Sequence, residues 1–440
     1  MKRLEAIGTE ALRTLEARLS DEHAALSRKG LHLDLTRGKP GTDQLELSNV
    51  LDGILQGDYR AEDGTDVRNY GNLLGIPEAR RLGGLIMDIE PELVLAGGNS
   101  SLLLMYLYVE TAHLFGAAGP DSSWRDEAES ADERAQARVK FLCPVPGYDR
   151  HFTICESLGI EMIAVPMLET GPDMDKVEAC VRSDPLVKGI WCVPKYSNPT
   201  GITYSAEVVA RFAQLGNMAG PHFRIMWDNA YAVHDLASPG DELANIVPLV
   251  RKAGTEDSLV IFASTSKITY AGGGVAYLAT SAANLQVFER RLSAMIVSFD
   301  KVNQLRHARL LPDMDALHRQ MRRQSELVHP RFEHVLSALE RELGGSGLAE
   351  WTRPHGGYFI SVDVIPGLAR ETVALAGKSG LELTPAGSTY PLGHDPQDQN
   401  IRIAPTFATP DEIDRAMDVF VLCVKLAAVR QRLAKGQDAR

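Results

Sequence analysis

Long hydrophobic runs are missing from this 440-residue chain, and none approaches the roughly 20 residues that a membrane-spanning helix needs. A basic excess is also missing. The net charge is −12 at pH 7, and an acidic chain lacks the cationic face that sequence-independent nucleic-acid binding requires. Cysteines are few. The five, Cys143, Cys155, Cys180, Cys192 and Cys423, form no CxxC pair and leave one over. Buried free thiols in a reducing compartment are therefore expected rather than disulfides. Met1-Lys2-Arg3-Leu4-Glu5 has basic residues but no continuous apolar stretch behind it, which argues against a secretory signal and for a cytoplasmic protein. Phosphate-binding GxxxxGK[ST] and metal-binding HExxH motifs are absent, and Gly272-Gly273-Gly274 does not complete GxGxxG. Gly98-Asn99-Ser100-Ser101 looks like a hydrolase nucleophile elbow, but GxSxG needs glycine where Leu102 stands.

What is present is ample apolar material, 44% of residues, enough for two packed domains. Leu4, Ile7, Ala11, Leu15 and Leu19 fall on one helical face, so an amphipathic helix is expected over residues 1 to about 28. From about 60 to 310, strand-like apolar runs alternate with helical stretches. That alternation predicts an α/β unit with a mainly parallel sheet between crossover helices. Gly119 to Arg138 is polar and charged and reads as solvated surface decoration with some helix. A long polar helix over Met314 to Leu343 then leads to a smaller α+β unit. The expected division is a large domain at 60–310 and a small one made of 1–59 and 311–440.

Four polar clusters each follow a short apolar run. Gly98, Asn99 and Ser100 follow Glu92-Leu93-Val94-Leu95-Ala96; Asn198 follows Gly189-Ile190-Trp191-Cys192-Val193. Asp228 and Tyr231 follow Phe223-Arg224-Ile225-Met226-Trp227; Lys267 follows Leu259-Val260-Ile261-Phe262-Ala263. In an open parallel sheet, ligands bind outside the carboxyl ends of the strands, so the four clusters are expected to converge. Most lysines are solvated. One at the end of a buried strand is partly desolvated, which lowers its pKa and leaves an amine able to attack a carbonyl.

Asn198-Pro199-Thr200-Gly201, Asp228-Asn229-Ala230-Tyr231 and Ser264-Thr265-Ser266-Lys267 resemble, in order and spacing, the motifs of class I aminotransferases, pyridoxal-phosphate enzymes of fold type I. Tyr70 with Gly75, Pro77 and Arg80 is similar to a further segment of that family. So are Pro354, Gly356, Gly357 and Phe359, and Ile401-Arg402-Ile403. The resemblance spans roughly Gly38 to Phe407, and its finer likeness is to atypical bacterial aspartate aminotransferases.

The resemblance implies a role for each residue. Lys267 would bind the aldehyde of pyridoxal 5'-phosphate and later move the Cα proton. Asp228 would keep the ring nitrogen protonated, since a nearby anion raises its pKa. Asn198 and Tyr231 would bond the phenolic oxygen. Tyr148 would stack on the ring, worth ~0.5–1.5 kcal/mol beyond area burial. Gly98, Asn99, Ser100, Ser264 and Ser266 would hold the phosphate, with Tyr70 reaching in from the neighbouring subunit of a homodimer. Arg402, with Gly38 and Asn198 near it, would take the substrate α-carboxylate. Arg37, Lys301 and Arg306 are candidate partners for a side-chain carboxylate. One departure stands out: many members carry a phosphate-binding arginine eight residues after the lysine, where this chain has Val275. The implied activity is amino transfer between an amino acid, aspartate or glutamate first, and a 2-oxo acid. A β-lyase or decarboxylase would use the same cofactor. A non-enzymatic ligand-binding regulator is disfavoured, because only about thirty acid-containing residues precede Asp34.

Overall fold

The computed structural model describes residues 7–131 and 137–438. Leu4 of the expected first helix lies outside them, as do residues 132–136 of the polar excursion. Helix α1 spans Thr9–Ser27 and buries Leu12 and Leu19 on one face, as its apolar spacing requires.

The main sheet has eight strands: β1 (Val94–Ala96), β2 (Lys140–Val145), β3 (Glu161–Leu168), β4 (Gly171–Pro172), β5 (Val187–Cys192), β6 (Arg224–Asp228), β7 (Leu259–Ser264) and β8 (Ala276–Thr280). Their order is β1-β8-β7-β6-β5-β2-β3-β4. The central pairs β2–β3, β2–β5, β5–β6 and β6–β7 are parallel. Strand β8 runs antiparallel to both β1 and β7, so β1 points the same way as β7. The central strands read as continuous apolar runs because both faces are buried. In β7, Leu259, Ile261 and Ala263 enter one hydrophobic cluster, while Val260 and Phe262 enter the cluster on the opposite face. The run expected from Glu92 is shorter as a strand: Pro91–Leu93 forms a 3-10 turn, and pairing starts at Val94.

Between β1 and β2 lie helices α2 (Ser101–Leu114) and α3 (Trp124–Ala131). Helix α4 (Asp149–Ser157) follows β2, and α5 is Lys301–Leu310. The polar helix expected over Met314 to Leu343 is α6, Met314–Leu343. Strands β9 (Ala349–Trp351), β10 (Ile360–Val364) and β11 (Asn400–Ile403) form an antiparallel sheet in the order β9-β10-β11. Helix α7, Pro410–Asp438, packs with α1 and α6 around it.

The excursion after Gly119 is not the loose decoration its charge suggests. Trp124 is fully buried, donates its indole N–H to His222 O at 2.9 Å and meets Phe141 edge-on at 5.5 Å. Glu127 pairs with the buried Lys188 of β5. Apolar surface and a buried cation thus tie α3 to the sheet, and only its outer face is solvated.

Candidate active site

Three of the four clusters, Asn198, Asp228 with Tyr231, and Lys267, converge on one cavity, which the segment after Ser100 reaches only through Ser101. A cavity of about 230 Å³ opens at the carboxyl ends of β5, β6 and β7, lined by Arg37, Gly38, Ser101, Tyr148, Asn198, Asp228, Tyr231, Lys267 and Arg402 among others. A larger, open depression of about 790 Å³ lies elsewhere. Its charges are largely spent on one another, as in Arg251–Glu90 and Lys195–Asp235.

Lys267 stands one short turn beyond β7. That turn is held at several points. The Thr265 amide donates to Val275 O, its hydroxyl accepts from the Val275 amide, and its carbonyl accepts from the amides of Ile268 and Thr269. Tyr358 donates its hydroxyl to Lys267 O at 3.3 Å, and Gln320 and Gln324 of α6 both donate to Ile268 O. The ammonium lies 4.9 Å from the Tyr231 ring centroid. Burial lowers the Lys267 pKa, while Asp228 opposes the shift. His234, buried beside Tyr231, is pushed down to about 3 by burial and then by Lys267, so it adds no positive charge there.

Asp228 closes β6 and is buried. One carboxylate oxygen lies 3.1 Å from His151 Nε2, and the other, Oδ1, has no partner among the described residues. A buried unpartnered carboxylate oxygen is costly unless something donates to it. His151 was not singled out from sequence. It sits three residues after Tyr148, one turn along α4, and stacks on Trp191 at 4.3 Å with an interplanar angle of 8°. The spacing of aromatic and histidine on one helical face was the available signal. Tyr148 meets the His151 ring edge-on at 4.9 Å. Burial, with Asp228 next, pushes the Tyr148 phenol up, and burial does the same to Tyr231. Both hydroxyls stay protonated and can donate.

Arg402 comes from the other sheet. It pairs with Ser361 in mid-β11, and strand alternation sends Ile401 and Ile403 into the core and Arg402 to the opposite face. Its Nη1 lies 3.3 Å from Asn198 Oδ1. Gly38 lies against Phe359: an added Cβ would stand 2.5 Å from that ring, so only glycine allows the approach.

The expected phosphate residues also gather. Ser100 caps α2, its hydroxyl accepting from Leu103 N–H at 3.2 Å. Asn99 bonds Gly272 O, and the Ser266 hydroxyl bonds Asn99 O. The amide of Ser266 approaches the Ser264 hydroxyl at 3.4 Å. The N-terminus of α2 presents free amides and a positive dipole end, as an anion site does. Val275 is buried in the core beside Thr265, so no cation stands at that position.

Gly98, Asn99, Ser100, Ser264 and Ser266 are not on the lining of this cavity, and three further expected residues, Tyr70, Arg306 and Lys301, do not line it either. Tyr70 is 79% exposed. Arg306 borders a separate depression with Asn49, Asp52 and Tyr270. The choice of Lys301 as a substrate cation is corrected. Its ammonium is buried and donates to Asn69 O and Gly71 O, both at 2.6 Å, so its charge is spent fastening the segment that carries Tyr70. Asp149 and Arg150 line the cavity instead, and no motif pointed to them.

A lysine and a buried carboxylate at the strand ends of a mainly parallel sheet, faced across one cleft by an arginine from a second sheet, form the arrangement of a fold-type-I aminotransferase. The aspartate amino-transferase family model matches residues 7–437, and the chain belongs to that family. It is 48% identical over 415 residues to a Mycolicibacterium smegmatis protein provisionally named an aminotransferase, covering 93% of this chain and 94% of that one. It is 45% identical over 404 residues to an aspartate aminotransferase of Corynebacterium glutamicum, covering 92% and 91%. The crystal structure of an aspartate transaminase from Corynebacterium glutamicum matches with a TM-score of 0.90 at 42% identity, over 98% of this chain and 99% of that chain.

Proposed function

We propose that this aminotransferase uses pyridoxal 5'-phosphate and prefers the dicarboxylic donors aspartate and glutamate, with 2-oxo acids as acceptors. We further propose a cytoplasmic homodimer with shared sites, whose large domain is 60–310 and whose small domain is 1–59 with 311–440. The cores support the division in part: one cluster draws on Leu12 to Leu35 and Val328 to Val429 and two on Leu55 to Met321, so Leu55 and the start of α6 pack with the large core, while a fourth joins Val193 and Tyr231 to Tyr358, Phe359 and Ala404. Among the described residues no helix is long and apolar enough to cross a membrane.

The observation that carries the cofactor is Asp228 Oδ1, buried without a donor on a cavity that also holds Lys267. A protonated ring nitrogen supplies the missing donor, and the anion favours that proton. Tyr148 offers a ring face, and α2 with Ser100, Ser264 and Ser266 offers donors to a phosphate. When bound, pyridoxal phosphate supplies an aldehyde that condenses with amines and a ring that takes up the electron pair of a broken Cα–H bond. Lys267, its pKa lowered by burial, has the basicity to take that proton and return it. Tyr231 and Asn198 would donate to the phenolic oxygen, and Arg402 would hold the substrate α-carboxylate.

A side-chain carboxylate needs a second cation. Arg37 and Arg150 line the cavity; Lys39, also on its wall, already pairs with Asp34 at 3.3 Å. Arg37 is exposed and makes no salt bridge among the described residues, which favours it. The test is single-turnover conversion of the bound cofactor to its amine form with aspartate, glutamate, alanine and phenylalanine. Leaving a carboxylate unpaired costs several kcal/mol, so the acidic donors should exceed alanine by about 10² in kcat/KM. An enzyme that prefers neutral or aromatic donors would contradict the substrate reading while leaving the cofactor reading intact.

A further inference from the structure

Arg402 does not face the cavity alone. Its Nη1 donates to Asp149 Oδ1 at 3.2 Å as well as to Asn198, and Nη2 donates to Thr384 Oγ1 at 3.2 Å. Asp149 is the first residue of α4, directly after Tyr148. Its second oxygen, Oδ2, lies 3.8 Å from Arg150 Nε. One carboxylate therefore sits between two guanidinium groups of unequal exposure. The Arg402 side chain is 6% exposed and that of Arg150 41%.

A substrate α-carboxylate on Arg402 would arrive beside Asp149. Two like charges at such range disfavour each other, the more so where water is partly excluded. They would also compete for the same Nη1 donor. Asp149 has a second partner within reach, because its Oδ2 already lies 3.8 Å from Arg150 Nε. A guanidinium left with no acceptor would be poorly oriented, so a resident carboxylate also holds the fork ready for bidentate capture.

We propose that Asp149 is a positioning residue that orients Arg402 and passes to Arg150 as the substrate's α-carboxylate takes its place. This rests on the reading of Arg402 as the carboxylate receptor. The affinity for every α-carboxylate is then set by the difference between two resting places for Asp149, whatever the substrate side chain. Arg150 is the acceptor of the displaced charge, a role distinct from recognition of a side-chain carboxylate.

The probe is propionate, a monocarboxylate without an amino group, titrated calorimetrically into the holoenzyme. Asp149→Asn keeps the shape and removes the competing charge, and should tighten propionate about three- to tenfold, the range of a partly exposed ion pair. Arg150→Ala removes the second resting place and should weaken propionate by a similar factor. In the double variant the Arg150 effect should vanish, because an uncharged residue 149 needs no acceptor. A merely structural Asp149 predicts the opposite sign for Asn. Asp149→Ser gives the same reading if the asparagine variant folds poorly. Unchanged or weaker binding in the Asn and Ser variants overturns the proposal, as does an Arg150 effect that persists in the double variant. Arg402→Lys separates the two levels. If it leaves propionate binding unchanged, the receptor reading itself fails. If it weakens binding tenfold or more while Asp149→Asn does not tighten it, only the role of Asp149 fails.

Discussion

The roles of Lys267 and Asp228 can each be measured. Burial lowers the lysine pKa, so its neutral, nucleophilic fraction rises at lower pH than for a solvated lysine. The rate at which apoenzyme captures pyridoxal phosphate covalently should therefore climb with pH and level off below the ordinary lysine range. A half-rise at about 10.4, the unperturbed lysine value, would falsify the burial argument. Lys267→Ala should abolish turnover and the borohydride-reducible link; a reducible link surviving on another lysine would transfer the role there. For Asp228, alanine should cost about 10²–10⁴ in kcat and glutamate clearly less, because only the charge is essential. A loss under tenfold for alanine with cofactor fully bound contradicts the assignment. These residues were legible because each stands at or just past the end of an apolar strand, where position alone implies the cleft. Asp149 and Arg150 were not, since their meaning depends on Arg402, whose partner Asp149 lies 253 residues away in sequence.

Single elements show where composition informs and where it misleads. Helix α6 was readable end to end because thirteen of its residues are buried, spread along its whole length at helical spacing. Helix α3 was misjudged because seven of its eight residues are polar or small, and the charge hides one anchoring tryptophan. Trp124→Ala should cost about 3–5 kcal/mol in denaturant unfolding, a core-sized loss. A cost under 1 kcal/mol would restore the view of α3 as solvated decoration. Lys301 was misread for a related reason: a lysine in a segment near the cleft looks like a ligand for substrate. Its two carbonyl partners, on either side of Tyr70, show that it works on the backbone.

The whole molecule raises the question of why so large a ring as Tyr70 stands 79% exposed on a segment fastened by a buried ammonium. Ordering that segment has a cost in conformational entropy, which a protein recovers only if the presented side chain meets something. Within its own chain Tyr70 does not line the cavity, and Val275 leaves the phosphate without the arginine many relatives use. A twofold dimer in which each Tyr70 completes the neighbour's phosphate site answers both points. Subunit mixing tests this. Lys267→Ala destroys the site that its own subunit carries, and Tyr70→Ala impairs the site of its neighbour. In a mixed dimer, the subunit with intact Lys267 receives an intact Tyr70 from its partner, so one of the two sites is whole. Random reassociation of equal amounts makes half the dimers mixed, so activity should return to about a quarter of wild type. If Tyr70 instead served its own chain, the mixed dimer would contain no whole site, and activity would not exceed the average of the two separate variants.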